Sequence, residues 1–316
     1  MNYAGIDISN ETFDCCFMVD DKPHYNTFSQ DVNGYDSFLS IFKMLNIDIV
    51  GFESTGVYHK VFQKYLIDNG VTPIVLSPRS VSLFIKSTTN NKGKTDKTDS
   101  YFIALYIMKN PDLVAFSFPI RDEFKPLITT LIQYEKQIRQ LKNLHHSIAK
   151  GCDDFFLLTS VDTMIKNAIV FRDELKVHSI DKLYSSIPEA KLIKSEIIGV
   201  GDMVLLSLLP LIYDHFDKFT IKQIVSFVGI SPVPFQSGTS IKKFSHISHR
   251  GDSNTRKILF MSAIASVRSN PIIKEKFLRM VADGKPKKVA LMAVMSHLLR
   301  AIVSRLSYHT GRVVKK

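Results

Sequence analysis

Hydrophobic positions in the first hundred residues recur with a period of two and then switch between strand and helix spacing. Tyr3–Ser9, Thr12–Val19 and His24–Ser29 are short apolar or alternating runs, separated by Asn10-Glu11 and by Asp20-Asp21-Lys22-Pro23. They predict three strands with connections short enough for an antiparallel meander. Gly34–Leu45 takes helical spacing, with Phe38, Ile41, Phe42 and Leu45 on one stripe. Ile47–Glu53 follows as an apolar strand, and Val57–Asn69 as a helix stopped by Gly70. Thr72–Leu76 is a further buried strand. A meander followed by alternating helix and strand predicts a mixed α/β sheet of the ribonuclease-H or RuvC-like kind.

Beyond a polar, lysine-rich loop from Thr88 to Lys94, Thr95 is placed to cap a helix that ends near Pro111. Asp96 and Asp99, three apart, fall on one face of its first turn. From Leu127 the apolar steps alternate between four and three: Leu131, Tyr134, Ile138, Leu141, His145 and Ile148. That seam of about three heptads suits a dimerising coiled coil or an internal helical hairpin equally well. A second helix is expected over about Val161–Val177. The rest is mainly helical. Gly199-Val200-Gly201 resembles the turn of a helix–hairpin–helix unit, whose backbone amides receive phosphate, although a plain tight turn reads the same. Gly229–Ser240 is too rich in Pro, Ser and Gly for regular structure, and helices are expected from about Ser253, Pro271 and Lys285. The organisation predicted is an α/β domain over 1–112, a helical connector over 113–190 and a mainly α domain over 191–316.

Charge changes this picture. Residues 1–112 hold 10 Lys/Arg against 13 Asp/Glu, residues 113–190 hold 10 against 10, and residues 191–316 hold 21 against 7. The whole excess of +11 therefore lies in the last segment, which points to a polyanion bound there. Lys242, Lys243, Arg250, Arg256 and Lys257 are the candidate contacts. No apolar run is long and uninterrupted enough to predict a membrane span, because Ile197–Ile212 and Val289–Val303 are broken by Gly, Asp, His or Arg. The start lacks the pattern of a signal peptide, so a cytoplasmic location and no membrane partner are expected. Cys15, Cys16 and Cys152 have no metal-binding spacing.

The chemistry lies in the acids. Alone, Asp96 and Asp99 would complement their helix dipole, at about 0.3–1 kcal/mol each. Asp7, between Ile6 and Ile8, and Glu53, at the end of an apolar strand, have no such explanation; a carboxylate in a buried strand is costly without a cation or dense hydrogen bonding. In a ribonuclease-H-like sheet these two strands are neighbours, and a later helix brings Asp96 and Asp99 over them. Four clustered carboxylates repel, and a divalent cation holds them ionised; oxygen-only ligands favour Mg2+ or Mn2+.

These motifs resemble a known family. Asp7 in Gly5-Ile6-Asp7-Ile8-Ser9, Glu53 in Glu53-Ser54-Thr55-Gly56-Val57-Tyr58, and Asp96 and Asp99 in Lys94-Thr95-Asp96-Lys97-Thr98-Asp99 resemble the DEDD set of RuvC-like transposases. Gly229-Ile230-Ser231-Pro232, Ser237-Gly238 and Ile247-Ser248-His249-Arg250-Gly251-Asp252 with Arg256 resemble the second domain of the same proteins. Together they are similar to the insertion sequence 110 family of transposases, relatives of the Piv and MooV DNA invertases. One departure is Thr255, where the family usually has an apolar residue. The resemblance implies a recombinase acting on donor and target DNA, with Asp7, Glu53, Asp96 and Asp99 binding Mg2+ or Mn2+ and Ser237 joining covalently to DNA. It also implies a guide RNA that pairs with both DNAs, and a homo-oligomer, dimer or tetramer. Read without it, Ser237 and Gly238 are an ordinary turn, with Ser240 the nearest competing hydroxyl. The main rival is a RuvC-like nuclease that hydrolyses branched DNA with no covalent step. An actin-like sugar kinase also fits Gly5–Ser9, but leaves the basic domain unexplained.

Overall fold

The computed structural model describes residues 1–54, 58–88, 96–110, 113, 119–151, 154–237, 241–247 and 251–315, without the side chains of Asp96, Lys97, Pro119 and residues 232–246. The chain divides into two compact units, Met1–Ser117 and Phe118–Lys316.

In the first unit the strands β1 (Tyr3–Ile8), β2 (Thr12–Val19) and β3 (Lys22–Ser29) form the expected meander. Helix α1 (Val32–Met44) leads to β4 (Ile49–Glu53), and α2 (His59–Asp68) leads to β5 (Ile74–Leu76). Asp31 caps α1 by accepting from the Gly34 amide at 2.9 Å. The sheet order is β3-β2-β1-β4-β5, with β4 and β5 parallel to β1. This is the mixed sheet that the alternation of strand and helix predicts.

Alternation along the strands sends residues to two different cores. Ala4, Ile6, Phe13, Phe17, Val50 and Phe52 meet Phe38 and Leu39 of α1 and Phe62 and Leu66 of α2 on one face. On the other face, Tyr3, Cys16, Met18, Ile74 and Leu76 meet two later helices, α3 (Pro78–Thr88) and α4 (Asp96–Lys109), through Val81, Ile103, Ala104 and Ile107. The sequence pattern does not predict α3. Helix α4 stands where expected, but its proposed cap, Thr95, lies outside the described residues, as does Pro111. Burial pushes the Cys16 thiol up to about 12 and raises Cys15 well above its ordinary value, so neither offers a thiolate.

In the second unit α5 (Pro119–Gly151) packs on α6 (Phe155–Ser186), both longer than predicted. The heptad positions of α5 are those withdrawn from solvent: Leu131 and Ile138 are buried, and Leu127, Tyr134, Leu141, His145 and Ile148 half-buried. The seam is therefore used within the chain, as a hairpin. The region expected as a connector belongs to the same compact unit as the helices that follow it, α7 (Glu189–Glu196), α8 (Asp202–Ile212) and α9 (Ile221–Val228).

Next comes a two-stranded hairpin, β6 (Pro232–Ser237) and β7 (Ile241–Ile247), where the sequence predicts irregular chain. The prolines are accommodated: Pro232 opens the strand, and the register shifts between Val233 and Phe235, around Pro234. A residue without an N–H is tolerated at a strand start or bulge. The unit ends with α10 (Ser253–Ser269), α11 (Pro271–Ala282) and α12 (Lys287–Thr310), close to the expected starts. Helix α12 is long and apolar enough to cross a membrane by composition. Its residues Val294, Leu298, Leu299, Ile302 and Leu306 are instead buried in the core of this unit, with Leu205 and Leu209 of α8 and Leu259 of α10.

Candidate active site

Strands β1 and β4 run side by side in parallel with Ile6 opposite Phe52, so the next residues, Asp7 and Glu53, stand level at the carboxyl ends of neighbouring strands. Side chains alternate across a sheet, and both acids share the face of Gly5 and Gly51, the one that α4 covers. Both are half-buried and each engages further groups in the structure.

Two glycines bring α4 close. A Cβ built on Gly5 would lie 2.2 Å from the Ala104 amide nitrogen and 2.4 Å from the Ser100 carbonyl oxygen. One on Gly51 would lie 2.5 Å from the Ile107 Cδ1. Ser100 and Ala104 are seated over Gly5, two residues before Asp7 on β1, and the first turn of α4 precedes Ser100. Asp96 and Asp99 belong to that turn. Asp96 is its first residue, and its side chain is outside the described set. Asp99 is half-buried, and its Oδ1 is buried with no hydrogen-bond partner among the described residues. A buried carboxylate oxygen left unpaired is costly, and a bound water or cation would relieve that cost.

A further acid joins this face. Asp14 of β2 lies directly opposite Asp7, so the two side chains share a face. Its Oδ1 accepts from the Thr27 hydroxyl at 2.5 Å, and with Ser100 of α4 it lines a cavity of about 60 Å3. The alternation Phe13-Asp14-Cys15 in an otherwise apolar strand was the available signal. The donors are all oxygen, which suits Mg2+ or Mn2+. Among the described residues no three His, Cys, Asp or Glu stand close enough to hold a metal by themselves. The structure therefore does not bring Asp7, Glu53, Asp14 and Asp99 together as a complete ligand set among the described residues.

In the second unit Ser237 is the last residue of β6 and pairs with Ile241. Its side chain lies outside the described set, and so do Gly238, Ser240 and Arg250 entirely. Lys242 and Lys243 are on β7, in register with Gln236 and Phe235; their side chains are likewise undescribed. Lys257 of α10 is exposed, and Arg256 is half-buried with Nη1 donating to the Gly251 carbonyl at 3.0 Å. Gly251 itself has φ +87, and a Cβ there would lie 2.6 Å from the Phe227 carbonyl oxygen, so only glycine fits. Asp252 caps α10 by accepting from the Thr255 amide at 2.7 Å. The Thr255 side chain is buried, and its hydroxyl donates to Asp252 at 2.6 Å and to the Ser207 carbonyl at 3.3 Å. Its departure from an apolar residue is therefore satisfied within the cap.

Comparison with known proteins agrees with this architecture. A DEDD transposase model of the IS110 type matches residues 4–156, and a model described as transposase IS116/IS110/IS902 family matches residues 191–278. The chain is 30% identical over 308 residues to a pilin gene-inverting protein of Moraxella bovis, covering 94% of this chain and 93% of the relative. It is 29% identical over 307 residues, with the same coverage, to the protein of that name from Moraxella lacunata. With both domains matched in order and relatives aligned nearly end to end, the chain belongs to the IS110 family of transposases, enzymes of DNA recombination.

Proposed function

We propose that this transposase cuts and rejoins donor and target DNA through a covalent bond to Ser237, with Asp7, Glu53, Asp96 and Asp99 holding Mg2+ or Mn2+. The observation that supports the reading is the level pair Asp7 and Glu53 on the sheet face that α4 covers, with the Asp99 Oδ1 buried and without a hydrogen-bond partner among the described residues. A bound divalent ion supplies charge stabilisation for the phosphodiester oxygens. The protein's own groups do the rest. The Ser237 oxygen forms a bond to phosphorus, the bond from phosphorus to one deoxyribose oxygen breaks, and that oxygen leaves as a hydroxyl carrying the proton the serine gave up. The serine ester keeps the energy of the broken bond, so a hydroxyl of the new partner strand displaces the serine without ATP. Lys242, Lys243, Arg250, Arg256 and Lys257 counter the phosphate charge around the serine loop.

A guide RNA pairing with both DNAs chooses the sequences, and the protein reads backbone and shape. The names of the Moraxella proteins, which describe inversion of a pilin gene, favour strand exchange over simple hydrolysis for this chain as well. Exchange needs two DNAs held together, hence a homo-oligomer, with cytoplasmic DNA as its substrate. The seam of α5 is already used within the chain. The outer face of α6, where Phe156, Met164, Val170, Phe171 and Val177 are exposed, offers an apolar surface for that contact.

Trapping of protein–DNA adducts in wild type, Ser237→Ala and Ser240→Ala tests the covalent step. Adducts in wild type and Ser240→Ala but none in Ser237→Ala are expected. An adduct that vanishes only in Ser240→Ala moves the nucleophile, and cleavage without any adduct makes the chain a hydrolytic RuvC-like nuclease.

A further inference from the structure

The second unit contains a cleft of about 1000 Å3 between the α5–α6 hairpin on one side and the Gly199–Gly201 turn with α10 on the other. Its rim carries Lys136 and Arg139 from α5, Arg172 and Lys176 from α6, and Lys257 from α10. One carboxylate, Glu135, is among the described lining residues. Arg172 holds it at 3.3 Å and also pairs with Asp173 at 2.8 Å, so Lys136, Arg139, Lys176 and Lys257 carry most of the rim's free charge. Residues 113–190 balance 10 basic against 10 acidic side chains. Four of those ten cations converging on one cleft is therefore not a by-product of a basic segment.

The turn adds donors of another kind. Gly199 has φ +94, and a Cβ there would lie 2.0 Å from the Ser266 Oγ, so glycine lets the turn rest directly on α10. The Ser262 hydroxyl pins it by donating to the Gly199 carbonyl at 2.7 Å. Gly201 caps α8 with no side-chain hydrogen bond, so the first amides of that helix and its positive end meet the cleft uncovered by a capping group. The one acid of that turn, Asp202, is held by Lys194 at 2.8 Å and by Tyr184. The floor is apolar, formed by Ile132, Met203, Ile258 and Met261, and Met261 is 58% exposed.

We propose that this cleft seats a strand of nucleic acid, its phosphodiester backbone held by the rim cations and the turn amides, and its sugars and bases resting on the apolar floor. Lys136 and Arg139 are three apart on α5, and Arg172 and Lys176 four apart on α6, so each pair shares a face about 5–6 Å apart. The two walls thus present paired charges to one anionic chain. An acidic peptide would satisfy the cations too, but the family's substrate is DNA, and a phosphodiester suits both the rim and the amides of a helix start. Apart from Lys257, which the serine-loop reading also uses, the cations of the site lie on α5 and α6, and the site does not depend on the covalent chemistry.

Binding of full-length protein in the Ser237→Ala background, with chelator present, separates the two questions. Labelled DNA duplex, single-stranded DNA and an RNA hairpin, each of arbitrary sequence, are titrated by fluorescence anisotropy over a salt series. Arg139→Gln with Lys176→Gln, both exposed positions, is expected to lower the salt slope by about two for the nucleic acid that occupies the cleft, one for each phosphate no longer neutralised. Lys136→Gln with Arg139→Gln, both on α5, is expected to do the same, and the probe affected identifies DNA or RNA as the occupant. Unchanged slopes and affinities for all three probes in both double variants overturn the proposal. So does a change in mass by light scattering with binding intact, which assigns the cleft to a protein partner.

Discussion

The two faces of the five-stranded sheet are packed on opposite plans. Against α1 and α2 the sheet presents Phe13, Phe17, Phe28 and Phe52, which interleave with Phe38 and Phe62; Phe13 and Phe62 approach to 4.6 Å between ring centres and Phe17 and Phe38 to 5.7 Å. Against α4 the central strands present Gly5 and Gly51, and the helix replies with Ala104 and Ile107. Aromatic burial makes the first face thick and stable. The second face gives up that burial to bring a helix backbone down onto the strands. The first face holds the sheet together, and the second fixes how far the α4 acids stand from Asp7 and Glu53.

If the division is real, substitutions on the two faces should separate stability from activity. Phe38→Ala should have the largest effect on stability, about 3–5 kcal/mol by denaturant unfolding, while the protein that remains folded still cleaves DNA. Gly5→Ala should cost less, about 1–3 kcal/mol, yet lower cleavage by on the order of 100-fold, since the Ala104 and Ser100 backbone must withdraw. Gly51→Ala should be milder in both assays, because the Ile107 side-chain tip gives way more readily than backbone; equal damage from the two glycines would mean that α4 position is not what matters. Asp99→Asn should move stability least. In chelator its melting temperature should match or exceed that of wild type, since the carboxylate oxygen lacks a partner, and added Mg2+ should raise wild type alone. A Mg2+ response that survives in Asp99→Asn would take that residue out of the metal site.

Much of the first unit was legible because period-two alternation and helical stripes survive in sequence, and the order meander, helix, strand, helix, strand leaves few sheets to build. The placement of Asp7 and Glu53 followed from that order. The packing beneath α4 was not legible, since Gly5 and Gly51 show their purpose only against Ala104 and Ile107, which are distant in the chain. Asp14 went unnoticed because its significance lies in the register with Asp7 across β1 and β2. In the second unit the hairpin of β6 and β7 was hidden by Pro232 and Pro234, whose composition signals loop although an opening position and a bulge admit both. The heptads of α5 were visible, but periodicity does not name the partner, and α6 of the same chain fills that place. Thr255 looked like a mismatch until Asp252 and the Ser207 carbonyl supplied its hydrogen bonds.

The seating of α4 on Gly5 also has a consequence for the order of events during synthesis. The strands and their aromatic core are all present once β5 has emerged, so a nascent chain can form the sheet and one of its two cores before any residue of α4 exists. The acids of α4 then arrive on a surface already shaped to receive them. On the proposed reading of the acids, a chain truncated before Asp99 keeps the strands and their aromatic core but lacks both Asp99 and the helix that covers the second face.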